Sequence, residues 1–316
     1  MERMEKVTIE TINQTDCEKQ KSFNFKNFDV SLDKETIEIL DLNIENNEKQ
    51  FAEELNKVKS HIDGILGEEW DMQNEKLHIY LFYDRNKYVE FIKKKFPEKY
   101  EIYIKDNAIF DVNSKTKAKS IVNYTFFNRS SDIINPSDAV AQKIKESETT
   151  TEQIIQKTKR NAKADILSGI GHEMTHLHPY FGGVGNKDSI NKWEQEMICR
   201  FTGERIRTLY GGTEFRQELF EKAKKEVKSL GQINLEENGK NWEQFYDHED
   251  FLYPYLEKQY GLEKLQSFWK LLFKDRPKKS LTKAIELVYG KNIDDIEREF
   301  ESAILKAKSS EEIENI

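Results

Sequence analysis

The sequence predicts an α+β fold in two subdomains with a cleft between them. Two observations carry that expectation. Short runs rich in aromatic and β-branched residues fall within residues 23–127, whereas from Thr149 onward the apolar residues recur at helical spacings of three and four. Neither an internal repeat nor a Pro/Gly/Ser-rich linker interrupts the chain, so the two patterns belong to one architecture. The expected division is a polar N-terminal segment over 1–22, an α+β subdomain over 23–180 and a helical subdomain over 181–316.

In chain order, Phe23, Phe25, Phe28, Val30 and Leu32 alternate in part with period two, a strand signal. From Thr36 to about Leu66 the pattern turns helical, with Phe51, Leu55, Val58, Ile62 and Leu66 on one stripe. The run from Leu77 to Tyr83 is a strand that carries His78 as a structural residue. A short helix follows from Arg85 to Phe96 and stops before Pro97. Two more strands fall at 108–112 and 120–127, joined by a lysine-rich turn. The polar stretch over 128–148 reads as an insertion or a short rim helix.

Helical pattern then runs from Thr149 through Lys163 to Pro179, with Gly169 and Gly171 weakening it locally. A glycine-rich connector follows over 180–187. The next helix spans Ser189 to Tyr210 and stops at Gly211-Gly212. Beyond it, helices are expected over Phe215–Leu230, over Trp242–Tyr260 with an interruption near Pro254, then over Leu262–Phe273, Lys283–Tyr289 and Ile293–Lys306.

Composition narrows the function classes. The 316 residues carry a formal net charge of −8, which argues against nucleic acid as the main partner, because phosphate binding needs a basic surface. No run of about twenty apolar residues is present and the N-terminus begins polar, so a cytoplasmic protein with no membrane partner is expected. The two cysteines, Cys17 and Cys199, stand in unrelated contexts and predict no disulfide.

Chemistry concentrates near the end of the Thr149–Pro179 helix, in His172-Glu173-Met174-Thr175-His176. Residues four apart on a helix lie one turn from each other on one face, so the two imidazoles can converge on a single metal ion. Glu173 is offset from both, within reach of a water on that ion without being a ligand, as a general base must be. A catalytic zinc normally takes three protein ligands, so a third donor is needed from elsewhere. Glu196, twenty residues after His176, is the first candidate on the next helix; Glu194, two residues earlier and on a nearly opposite face, is the second.

His-Glu-x-x-His followed by a helix bearing Trp193-x-x-Glu196 resembles the gluzincin metallopeptidases, zinc enzymes whose third ligand is a glutamate on a second helix. Trp193, Glu196 and Phe201 match a Trp-x-x-Glu-Gly-x-Ala-x-Tyr signature, with Phe for its Tyr. Met197 and Cys199 depart from it at the Gly and Ala, and Arg200 stands where thermolysin-like relatives carry an aspartate that orients a zinc histidine. Leu256, Tyr260, Gly261, Ala284 and Gly290 extend the resemblance into the tail.

The resemblance implies a zincin-like fold and a soluble zinc peptidase, in preference an endopeptidase, acting on a peptide or protein substrate. Zn2+ would be held by His172, His176 and Glu196, with Glu173 passing a proton from water to the leaving amine. It also implies an oxyanion donor from the C-terminal half. Tyr246 is the first choice there, among Tyr246, His248, Tyr253 and Tyr255 on one expected helix, while His178 would belong to the site's surroundings. An antiparallel edge strand for substrate is implied as well; the strand at 120–127 reads equally as that edge or as an interior strand. The alternative reading is a zincin-like protein that has lost catalysis and serves as a binding or regulatory module.

Overall fold

The computed structural model describes residues 21–24, 28–32, 47–72, 77–82, 85–103, 108–112, 119–124, 151–181, 189–212, 216–240, 246–275 and 279–314. Residues 1–20, the start of the helical pattern at Thr36, the 128–148 stretch and most of the glycine-rich connector lie outside them. The described residues are α+β, with one sheet and a helical majority. Its contacts divide it into two compact units: residues 1–57 with 71–173, and residues 58–70 with 174–316.

The first unit holds the sheet. Its strands are β1 (Lys21–Asn24), β2 (Phe28–Leu32), β3 (Leu77–Phe82), β4 (Ala108–Val112) and β5 (Lys119–Tyr124), in the spatial order β1-β2-β3-β5-β4. The three central strands run parallel and each edge strand is antiparallel to its neighbour. Parallel neighbours need a crossover between them, and helix α1 (Asn47–Leu66) lies in the connection from β2 to β3.

Register aligns Val30, Ile79 and Ile121 across the three central strands, and all three are buried. On β3, Leu77, Ile79 and Leu81 are fully buried while His78 and Tyr80 are half-buried, the alternation of a strand whose two faces differ. Because β5 is paired with β3 on one side and β4 on the other, it is interior; the edge position belongs to β4. The sequence pattern identified the strand but not its neighbours, which are set by pairings forty residues apart.

Helix α2 (Arg85–Lys95) packs Tyr88 and Ile92 against Phe82, with Phe91, Phe96 and Tyr100 around them. The short helix α3 (Tyr100–Tyr103) follows a turn that opens with Pro97. Helix α4 (Thr151–Leu177) runs 27 residues without a break, in spite of its two glycines. Propensity loses here to packing, since Ala164, Ile166, Leu167, Ile170 and Met174 are all fully buried. The division into units crosses α4 between Glu173 and Met174, inside one continuous helix.

Among its described residues the second unit has helices and no strand. It contains α5 (Ser189–Leu209), α6 (Arg216–Leu230), α7 (Leu235–Lys240), α8 (Leu252–Tyr260), α9 (Leu262–Phe273), α10 (Leu281–Tyr289) and α11 (Ile293–Lys306). Ser280 and Asn292 cap α10 and α11 through their side-chain oxygens, and Gly290 closes α10 at φ +68°. The expected interruption near Pro254 occurs earlier. A 3-10 turn covers Asp247–Phe251, and Pro254 falls in the first turn of α8, where its missing N–H costs nothing. Tyr246 and His248 therefore stand before α8 while Tyr253 and Tyr255 are on it, rather than all four sharing one helix. Among the described residues no helix is long and apolar enough to cross a membrane.

The core of this unit encloses an ion pair. Arg216 and Glu314 are each 7% exposed, with Nε donating to Oε1 at 2.7 Å. The same guanidinium donates to the Asp250 carbonyl at 2.9 Å and lies over the Phe251 ring at 4.2 Å. Burial raises the Glu314 carboxyl and Arg216 pulls it back down. Removing one member of a buried pair strands the other, so Glu314→Ala should cost about 2–3 kcal/mol in urea unfolding; Glu204, 4.0 Å from Arg216, softens the loss. The double variant Arg216→Met/Glu314→Leu should cost less than that single change.

Candidate metal centre

Along its final turns α4 is buried on every side but one. The half-buried positions are Asp165, Ser168, Gly169, His172 and His176, spaced three and four apart, so they form a single stripe. Both histidines lie on it, and Gly169 contributes no side chain to it. Glu173, next to the stripe, is 6% exposed.

Helix α5 supplies the partner. Lys192, Gln195, Glu196 and Arg200 are half-buried, while Trp193, Glu194, Met197 and Ile198 face inward. Oε2 of Glu196 stands 3.1 Å from Nε2 of His176. Ligand atoms from His172, His176 and Glu196 all lie within 4.8 Å of one another. Two imidazole nitrogens and one carboxylate oxygen at those separations suit a borderline divalent ion such as zinc, which takes donors at about 2.0–2.2 Å with a position left open. The structure thus brings together the three residues expected as ligands.

Glu194 is held apart from them. It is 1% exposed, and the Tyr253 hydroxyl donates a hydrogen bond to its carboxylate. Burial pushes its pKa up to about 8, Tyr253 opposes the shift, and the nearby Glu249 adds to it. An acid in that position is mostly protonated at neutral pH and is poorly suited to a cation. The 200° between residues two apart on a helix explains the opposite fates of Glu194 and Glu196.

Several further side chains fix α5. The Trp193 indole donates to Oε1 of Glu249 at 3.2 Å, and the backbone N–H of Tyr246 donates to Oε2 of the same carboxylate at 3.2 Å. Through Glu249, the helix bearing Glu196 is tied to the backbone of Tyr246. Tyr246 itself is half-buried, with its ring stacked on His248 at 5.5 Å between centroids. His248 is buried and fixed, with Nδ1 2.7 Å from Glu226 and Nε2 3.4 Å from Asn238. Tyr253 is equally buried and engaged with Glu194, and Tyr255 is 5% exposed.

Arg200 pairs with Asp250, its Nη2 2.6 Å from Oδ2. Gln195 reaches from α5 to the backbone carbonyl of His176 at 3.4 Å. Beyond the helix end, His178 is buried, with Nε2 3.3 Å from Asp63 and Nδ1 accepting from the Tyr180 N–H at 3.1 Å. Sequence reasoning did not find Gln195, Glu249 or Asp63. Gln195 adjoins the motif, but Glu249 and Asp63 lie 56 residues from Trp193 and 115 residues from His178 respectively, with no local pattern to single them out.

No family model, no curated protein and no solved structure matches the chain.

Burial raises the Glu249 pKa to about 7, against the donors from Tyr246 and Trp193 and the charge of Arg200. A carboxyl whose folded pKa is raised binds more protons folded than unfolded, so its contribution is fully present below about pH 4.5 and fades as pH rises towards 7. Trp193→Phe removes a donor that favours the ionised form. The hydrogen-bond part of its cost should be about 1 kcal/mol at pH 5 and about 2 kcal/mol at pH 8, where a charged acceptor is left short. Urea unfolding at the two pH values checks this; equal costs would show that Glu249 does not titrate between them.

Proposed function

We propose that this chain is a zinc-dependent peptidase of the gluzincin arrangement on a zincin-like fold. The observation that carries the reading is the convergence of His172, His176 and Glu196 within 4.8 Å, on the half-buried stripe of α4 and the matching face of α5. His172 and His176 would hold the ion through imidazole nitrogens and Glu196 through a carboxylate oxygen. When bound, zinc would supply Lewis acidity, polarising a carbonyl and lowering the pKa of water towards neutrality.

The rest of the chemistry falls to the chain's own groups. Glu173 follows His172 on the same helix and is mostly shielded from solvent, so its carboxylate takes a proton from water and delivers it to the departing amine without competition from bulk solvent. The buried Trp193–Glu249 and Glu194–Tyr253 hydrogen bonds hold α5 so that Glu196 keeps its orientation. Tyr246 is the assigned oxyanion donor. Its half-buried ring and the tie of its backbone to Glu249 support that assignment, whereas the burial of His248 and Tyr253 speaks against either meeting a substrate.

Three variants test the reading with a peptide library and zinc analysis. Glu173→Gln should keep one zinc per chain and lose turnover by at least about 100-fold. Glu196→Ala should lose most of the zinc. Tyr246→Phe should keep the zinc and lower kcat by about 100-fold, as for other single oxyanion donors; full activity would remove Tyr246 from the mechanism. Stoichiometric zinc with no hydrolysis in the wild type would instead favour the non-catalytic binding module.

A further inference from the structure

Helix α4 ends at Leu177, so His176 sits in a final turn, where backbone hydrogen bonds run out and helices fray. What anchors the next residues therefore decides how well His176 is held. His178 does this with both ring nitrogens. The Tyr180 N–H donates to Nδ1, which leaves the ring proton on Nε2, facing Oδ1 of Asp63 at 3.3 Å. The Trp70 ring packs edge-on against the imidazole at 5.5 Å.

Asp63 is itself tightly placed, and by residues far from the motif. Oδ1 also accepts from the Trp70 N–H at 3.2 Å, and Oδ2 accepts from Lys59 at 2.7 Å. Gln266 of α9 donates to the carbonyls of Gly64 and Ile65 at 2.9 and 3.0 Å, which caps the end of α1. Gly67 turns away at φ +67°, where a Cβ would come within 3.0 Å of the Gln266 amide. Lys274 reaches Glu68 at 2.8 Å and lies over the Tyr180 ring at 5.2 Å. Residues 58–70 thus form a brace, fixed on α9 and gripping the chain two residues past His176.

We propose that Asp63 is a positioning residue for the metal centre: through His178 it immobilises the end of α4, so that His176 meets Glu196 in ligand geometry. This rests on the metal-site reading above. Asp63 touches neither metal nor substrate; it acts by sparing the ion the work of ordering the last turn.

The test is a competitive zinc titration against a chromophoric chelator, at a temperature well below unfolding. Asp63→Ala should weaken zinc binding by about tenfold, the lower end of what outer partners of metal ligands contribute. Asp63→Asn keeps an oxygen for both Trp70 and His178 and should restore most of the affinity. His178→Phe keeps the ring against Trp70 while deleting its donor, so it should match Asp63→Ala and replaces it if that variant does not fold. Glu314→Ala, destabilised at a distance, should bind zinc like the wild type. Wild-type affinity in both Asp63→Ala and His178→Phe overturns the inference alone, and equal weakening in Glu314→Ala reduces it to general stability. No zinc in the wild type, or unchanged zinc in Glu196→Ala, overturns the metal site itself.

Discussion

An imidazole and a carboxylate 3.1 Å apart on separate helices, His176 on α4 and Glu196 on α5, impose the main constraint on the helical unit. A metal ion tolerates errors of only a few tenths of an ångström in its donors, whereas packed helices slide and tilt by more than that unless something fixes their ends. Much of the buried polar chemistry on α5 gathers where the proposed metal site would need such fixing. Trp193 is pinned by Glu249, Glu194 by Tyr253 and Arg200 by Asp250, all within one turn of Glu196 on α5. Buried polar groups are expensive unless satisfied, and their concentration here fits a helix that must be oriented rather than merely buried.

Two acidic side chains lie at the inward face of α5, Glu194 on the helix itself and Glu249 from the 3-10 turn before α8, their carboxyls raised by burial and close enough to act on each other. Two carboxylates cannot easily be charged together in such surroundings, so the pair carries less than its formal charge at neutral pH. The contrast with Glu196 is one of exposure. Its side chain is 25% exposed and stands 3.1 Å from Nε2 of His176. One helix thus carries the same side chain in two settings, separated by which way each residue faces.

The grouping of His172, His176 and Glu196 was legible because it is a local pattern: helical period brings His172 to His176, and the turn between residues 194 and 196 sets the two glutamates on different faces. Helix α9 was legible at both ends and α11 at its start, since Leu262–Phe273 and the segment from Ile293 to about Lys306 each have a clear apolar stripe. What escaped depends on partners distant in sequence. The interior position of β5 follows from its pairing with β3, and the 3-10 turn before α8 from contacts that Asp247–Phe251 makes with other helices. Asp63 and Glu249 look like surface acids in the sequence. Nothing near them announces an indole or an imidazole arriving from 56 or 115 residues away.

Cys199 forms no disulfide and is fully buried, three residues past Glu196 on the same helix. A thiol there cannot meet a reagent until α5 opens, so its rate of alkylation measures how often the glutamate-bearing helix leaves its seat. A bound ion that bridges α4 and α5 must slow that opening by the factor with which it favours the closed form. Cys199 would thus make the helix's own breathing a chemical clock for occupancy of the proposed metal site.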